Sequence, residues 1–195
     1  MKEFILASAS PRRKALLEEI GAAFTVRPAD IDEKAISAST PAETVKKLAL
    51  SKARFVFEKY KDVYGCAFSH TAVLGADSVV VTEGEILGKP ADAAEAVQML
   101  KKLSGKAHEV MTGIAFVTAD KTYNECVKTK VYFNRLSDEF IKKYVATGSP
   151  LDKAGAYGIQ DGGLVEKIEG SYSNVVGLPL ERVEEILKAE GFLKG

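Results

Sequence analysis

Strand-type and helix-type segments alternate along the whole chain, and this alternation restricts the fold more than any other feature of the sequence. It favours an α/β class, in which strands form a sheet and the intervening helices cover it. Glu3–Ser8 reads as a first strand. Ser10-Pro11 then opens a helix, with the serine as N-cap and proline at the first helical position. Leu16, Leu17 and Ile20 give that helix an apolar face, and Gly21 ends it. A short second strand is expected at Phe24–Arg27. Thr40-Pro41-Ala42-Glu43 is a capping box whose helix should reach about Tyr60. Val73–Thr82 reads as a strand interrupted by Gly75 and Asp77, followed by a turn at Glu83-Gly84-Glu85. Asp92 and Glu95 cap another helix. Two long β runs, 109–118 and 122–133, are joined by Ala119-Asp120-Lys121 and predict a hairpin. Ser137 caps a helix that Gly148 and Pro150 terminate. Gly155–Gly163 reads as loop, and Pro179 starts a last helix.

The chain has 195 residues, 46% of them hydrophobic and 28% charged, enough to build a core without disulfides or metal staples. The 27 Lys and Arg balance the 27 Asp and Glu, so no global basic field exists to hold a nucleic acid polymer. Any anion site must be built locally. Cys66 and Cys126 are too few for a disulfide framework or a Cys-rich zinc site, and two reduced thiols fit a cytoplasmic protein. The N-terminal apolar stretch is too short for a signal peptide. The uncharged stretch Val63–Ala76 is too short and too polar to span a membrane.

Several groups of residues carry chemistry. Ser8-Ala9-Ser10-Pro11-Arg12-Arg13 sits where a strand feeds a helix N-terminus. Free backbone N–H groups favour an anion there, and hydroxyls and guanidiniums add donors suited to phosphate. A capped surface helix with solvated arginines is the plainer reading. The motif is not a Walker loop, because the glycines and the Gly-Lys-Ser/Thr end are absent. Asp77 lies inside an otherwise apolar strand, where a carboxylate is unfavourable unless paired, metal-bound or solvated in a cleft. It is the best single catalytic candidate, with a structural, ion-paired aspartate as the alternative. Asp30, Asp32 and Glu33 cluster in a loop. Lys52 and Lys89 lie near helix and turn features, Lys89 between Gly88 and Pro90. In Asp152–Gln160, glycines let backbone approach a ligand, and the Gln160 amide suits a base edge. The two histidines, His70 and His108, lack zinc-ligand spacing, and His108 reads as structural. Acids beside phosphate-gripping residues favour Mg²⁺ or Mn²⁺.

Six blocks together resemble the Maf family of nucleoside triphosphate pyrophosphatases. They are Leu6–Arg13, Gly75–Val80, Leu87–Pro90, Leu103–Gly105, Asp152–Gln160 and Gly170–Pro179, in family order over nearly the whole chain. The resemblance implies one Maf-like domain over 1–195, with a mixed, elongated β-sheet flanked by helices. It also implies two lobes around a central cleft, similar to the inosine triphosphate pyrophosphatase fold. The activity it implies is metal-dependent hydrolysis between the α- and β-phosphates, giving a nucleoside monophosphate and pyrophosphate. Family members are often dimers, so a homodimer is expected, and the family is associated by name with septum formation.

Carried over by position, the resemblance implies Arg12 and Arg13 as phosphate clamps, with Ser8 and Ser10 as nearby donors. Lys52 and Lys89 become further phosphate contacts, and Glu33 a metal ligand. Asp77 activates water and shares the metal. Gln160 and Ser78 match positions tied to base selection, and the glutamine form resembles the dTTP/UTP branch. Three features depart from that pattern. Ser78 stands where threonine is usual, the segment before Asp77 is longer at Asp62–Thr71, and Asp161 follows Gln160 where glycine is common. Two other readings remain: the same chemistry on another nucleotide such as 7-methyl-GTP, and a non-catalytic nucleotide-binding regulator of cell division.

Overall fold

The computed structural model describes residues 2–64 and 70–193. Part of the longer segment expected at Asp62–Thr71, with Cys66, lies outside the described residues. Seven strands form one mixed sheet: β1 (Glu3–Leu6), β2 (Thr25–Val26), β3 (Thr71–Thr82), β4 (Glu85–Leu87), β5 (Ala107–Val117), β6 (Thr122–Phe133) and β7 (Val165–Glu169). Their order is β2-β1-β3-β5-β6-β7, with β4 paired to β3. β1 is parallel to both neighbours, with Leu6 opposite Val26 on one side and Leu74 on the other. β4 and β7 pair antiparallel to β3 and β6. The helices are α1 (Pro11–Glu19), α2 (Pro41–Tyr64), α3 (Ala93–Leu103), α4 (Asp138–Ala146), α5 (Tyr172–Val176) and α6 (Leu180–Ala189).

The chain divides into two compact units. The first contains residues 1–77, 112–127 and 177–195; the second contains 78–111 and 128–176. In the first, Ile5, Ala7, Val73, Ala115 and Val117 pack against Ala49, Ala53, Val56 and Phe57 of α2. Phe4 and Phe116, one residue out of phase with Ile5 and Ala115, pack instead against Phe192, in tilted and edge-on contacts. Alternate strand residues thus serve opposite faces, and both faces are covered, which is why these strands read as nearly continuous apolar runs. The approach of α2 to the sheet depends on two glycines. A Cβ on Gly75 would lie 2.2 Å from the Ala49 carbonyl oxygen, and one on Gly113 would lie 2.2 Å from that of Val45. Gly75 therefore does not interrupt β3, as the sequence suggests; the strand runs unbroken from Thr71 to Thr82 because the helix backbone occupies the space above it.

In the second unit, α3 and α4 pack on each other. Leu100, Leu103, Ile141 and Val145 join Val80, Val110, Val131 and Phe133 in one core. The capping signals hold throughout the chain. Ser10, Thr40, Asp92 and Ser137 each accept a hydrogen bond from the backbone N–H three residues on. Glu95 reaches back past the cap and accepts from the Ala91 N–H at 2.6 Å. The hairpin expected around 119–121 is a turn in which the Thr118 hydroxyl accepts from the Asp120 and Lys121 N–H groups.

Besides β3, three other stretches differ from the sequence reading. α2 extends to Tyr64 rather than Tyr60. β7 and α5 lie in a stretch that gave no clear signal, since Glu166, Lys167 and Glu169 break the apolar pattern of an exposed edge strand. The glycine-rich segment is not simply loop. It contains 3-10 turns at Ala154–Ala156 and Ile159–Asp161, with Gly155, Gly162 and Gly163 at positive φ.

Candidate active site

Parallel pairing sets the first half of the site. Leu6 and Leu74 are level in the sheet, so Ser8 and Asp77 both lie just beyond that level, at the carboxyl ends of adjacent parallel strand segments. Such ends are where open α/β sheets bind ligands. β1 then turns directly into α1. Ser8 is buried, and its hydroxyl accepts from the Ser10 N–H at 3.2 Å. Ser10 caps α1 through the Arg13 N–H.

Arg13 binds this turn together. Its Nε donates to the Gly177 carbonyl at 2.8 Å, and its Nη1 donates to the Ala76 carbonyl at 2.8 Å and to Ser8 Oγ at 3.2 Å. Burial pushes the Arg13 guanidinium below its ordinary pKa. Asp77 and Glu33 oppose that shift by attraction, while Arg12 reinforces it by repulsion. Arg12, Arg13, Glu33 and Asp77 therefore share one electrostatic environment. Sequence reasoning selects Arg13 but misses its partners, because the Ala76 and Gly177 carbonyls belong to backbone and carry no side-chain signal.

Lys52 is the centre of the acidic half. Its Nζ lies 2.7 Å from Asp77 Oδ1 and 2.9 Å from Glu33 Oε1. The Lys52 and Asp77 side chains are 10% and 13% exposed, and Glu33 is 56% exposed. α2 presents Lys52 to β3 because Gly75 lets the helix approach. Asp32 accepts from the Lys34 N–H at 3.1 Å and caps the 3-10 turn Glu33–Ala35, which holds Glu33 at the rim. The pairing resolves the cost of a carboxylate within an apolar strand: Asp77 faces an ammonium, not hydrocarbon. Asp30 is exposed.

Two carboxylate oxygens converging on one cation form an oxygen donor set suited to Mg²⁺ or Mn²⁺, which are commonly held by one or two carboxylates with substrate phosphates completing the shell. Among the described residues no group of three or more His, Cys, Asp or Glu side chains could cage a metal alone. His108 is buried, and its Nε2 lies 2.7 Å from the Tyr157 hydroxyl, as a structural histidine should. Burial lowers its pKa to about 4. Its ring meets Phe133 and Tyr157 edge-on.

The second unit carries Ser78, Lys89 and Gln160. Ser78 is half-buried on β3, and Lys89 and Gln160 are exposed. The Gly155 N–H donates to the Gly88 carbonyl at 3.0 Å, which ties the Lys89 turn to the segment leading to Gln160. A Cβ on Gly155 would lie 2.8 Å from a Val80 methyl, so only glycine lets this segment rest on β3.

The fold and this site define an α/β protein with an arginine-bound strand-to-helix turn beside a lysine-bridged carboxylate pair. The chain belongs to the family described as Maf-like protein, whose model matches residues 3–190. It is 49% identical over 194 residues to the dTTP/UTP pyrophosphatase of Symbiobacterium thermophilum, covering 98% of this chain and 96% of that protein. It is 50% identical over 193 residues to the dTTP/UTP pyrophosphatase of a Geobacter species, covering 97% and 96%. The dTTP/UTP pyrophosphatase of Moorella thermoacetica is 49% identical over 195 residues, covering 98% and 96%. No described helix is long and apolar enough to cross a membrane.

Proposed function

We propose that this chain hydrolyses the pyrimidine nucleoside triphosphates dTTP and UTP at the α–β anhydride bond, releasing a nucleoside monophosphate and pyrophosphate. The observation that carries this reading is the Lys52-bridged pair Asp77 and Glu33 beside the Arg13 turn. The names of the relatives give it the base and the bond. A single Maf-like domain over 1–195 accords with the unbroken family match.

In this reading Asp77 accepts the proton of the attacking water. Water is a poor nucleophile at neutral pH, and a positioned carboxylate supplies the base. The water oxygen adds to phosphorus, the α–β bridging bond breaks, and its electron pair leaves on pyrophosphate. A triphosphate carries about four negative charges, and more charge develops on the leaving group, so fixed cations must meet it. Arg12, Arg13, Lys52 and Lys89 are assigned to that task. Arg13 acts with fixed geometry, because three of its N–H donors already bind Ala76, Gly177 and Ser8. Ser8 and Ser10 hold the turn and present donors. Ser78 and Gln160 are assigned to the base.

Asp77 and Glu33 would hold a divalent ion, Mg²⁺ or Mn²⁺. Such an ion, when bound, neutralises phosphate charge and polarises a phosphoryl oxygen.

The experiment measures pyrophosphate release from the eight standard nucleoside triphosphates and 7-methyl-GTP, with Mg²⁺ and with Mn²⁺, for the wild type and Asp77→Asn. Selective release from dTTP and UTP, lost in the variant, is expected. Release from a guanine substrate alone would overturn the base assignment. Tight nucleotide binding with no release would favour the non-catalytic regulator.

A further inference from the structure

Gln160 makes no hydrogen bond among the described residues, so its position is set by the chain on either side. Beyond Asp161, Gly162 and Gly163 both have positive φ, and no side chain there reaches back to the turn. The restraint comes from Asp161 itself. Its Oδ2 accepts from the Tyr144 hydroxyl at 2.5 Å and from Ser149 Oγ at 2.8 Å, and Lys153 Nζ lies 3.9 Å away. The Tyr144 oxygen accepts in turn from the Gly158 N–H at 3.1 Å, and the Asp161 N–H donates to the Gly158 carbonyl at 3.0 Å. Lys153 donates to the Ser149 carbonyl and hydroxyl at 2.5 and 2.8 Å. Tyr144 stands on α4, a rigid element of the core.

We propose that Asp161 is a positioning residue for base selection: through Tyr144 and Ser149 it anchors the turn Ile159–Asp161 to α4 and its following loop, and so fixes the place of Gln160. This rests on the assignment of Gln160 to the base. Hydrogen bonds to an ionised carboxylate are short and strong, and recognition of a base edge needs groups held to about half an ångström. The Tyr144 hydroxyl keeps its proton for this bond, since burial and the Asp161 carboxylate both push its pKa up. On the near side of the turn, the buried contact between Tyr157 and His108 supplies a second anchor; on the far side the chain is next held at Gly163, whose carbonyl accepts from Asn134 Nδ2 at 3.1 Å, so Asp161 is the anchor within the turn itself.

The test compares the full-length wild type with Asp161→Gly, Asp161→Asn and Tyr144→Phe. It reads kcat and KM for dTTP, UTP, CTP and GTP, amide exchange at 158–163, and Tm. In Asp161→Gly and Tyr144→Phe, KM for dTTP and UTP should rise roughly tenfold while kcat changes less than about twofold, because the phosphates and Asp77 are untouched. Preference over CTP should fall and exchange at 158–163 should rise. Asp161→Asn keeps an acceptor oxygen and should recover most of the preference. Unchanged KM and preference would overturn the proposal. So would an equal fall in kcat for every nucleotide with a lowered Tm, the signature of a purely structural role. A wild type that releases no pyrophosphate from dTTP or UTP would instead overturn the functional reading, a result visible before any variant is compared.

Discussion

Lys52 Nζ on α2 stands 2.7 Å from Asp77 Oδ1 on β3, and the same ammonium reaches Glu33 at 2.9 Å. One cation therefore satisfies two carboxylates from different segments, and it fixes the position of the acid assigned to water activation. Asp77→Asn keeps an oxygen acceptor for Lys52, whose ammonium also retains Glu33. The fold should survive, with a Tm close to that of the wild type, while pyrophosphate release falls by at least about 10²–10³-fold. Near-normal turnover would remove Asp77 from the chemistry.

Lys52→Ala should behave differently. It leaves Asp77 mostly buried without its ammonium, a change of about 3–5 kcal/mol when one partner of a buried pair is removed. Urea denaturation should show that loss together with loss of activity. An unchanged midpoint would mean that water replaces the ammonium without penalty.

Arg13, assigned to the substrate phosphates, is also a structural residue. Arg13→Lys keeps a charge but cannot serve the Gly177 carbonyl, the Ala76 carbonyl and Ser8 together. It should destabilise the protein by about 1–3 kcal/mol, through carbonyls left without donors, and also lower turnover. Loss of activity with full stability would assign Arg13 to substrate alone.

Gly75→Ala tests how the site is assembled. A methyl there meets the Ala49 carbonyl oxygen at 2.2 Å and the Ala53 nitrogen at 2.8 Å, both on the α2 backbone. The helix must retreat, taking Lys52 away from Asp77. A loss of about 1–3 kcal/mol is expected from overpacking, with activity falling further than stability alone explains. A crystal structure of the variant with the Lys52–Asp77 distance unchanged would contradict this.

His108 predicts a specific pH dependence. Its folded pKa of about 4 lies below the ordinary 6.5. Between these values the unfolded chain binds a proton that the folded chain does not, so stability rises with pH across that window and is lost as pH falls from 6.5 towards 4. The contribution is roughly 3 kcal/mol over the window. In His108→Gln, which cannot titrate but retains polar groups for Tyr157, the slope of unfolding free energy against pH between 4 and 6.5 should be flatter than in the wild type. Equal slopes would show that His108 is protonated in the folded protein.

Much of this architecture is legible in local chemistry. The caps at Ser10, Thr40, Asp92 and Ser137 act within four residues, so their sequence signals survive folding unchanged. The apolar runs of β3 and β5 predict strands for the same reason. Less legible are β7 and α5. An edge strand with alternate charged residues has no strong apolar period, and α5 spans only Tyr172–Val176, too short to show a helical period even though Ser171 Oγ caps it by accepting from the Asn174 N–H. The structure brings the candidate residues Ser8, Ser10, Arg12, Arg13, Glu33, Lys52 and Asp77 of the first unit into one neighbourhood.

By itself the sequence determined most element types, the caps at Ser10, Thr40, Asp92 and Ser137, the α/β class and the unusual aspartate in an apolar strand, because each depends on residues close in the chain. Only the tertiary structure decided that Lys52 is the partner of Asp77, that Arg13 binds the carbonyls of Ala76 and Gly177, and that Asp161 anchors to Tyr144. These relationships join residues distant in the chain through parallel strand register and the close approach that Gly75 permits. A hydrogen bond to a backbone carbonyl or across a helix–sheet contact leaves no local pattern; it exists only once the sheet has set which residues are level.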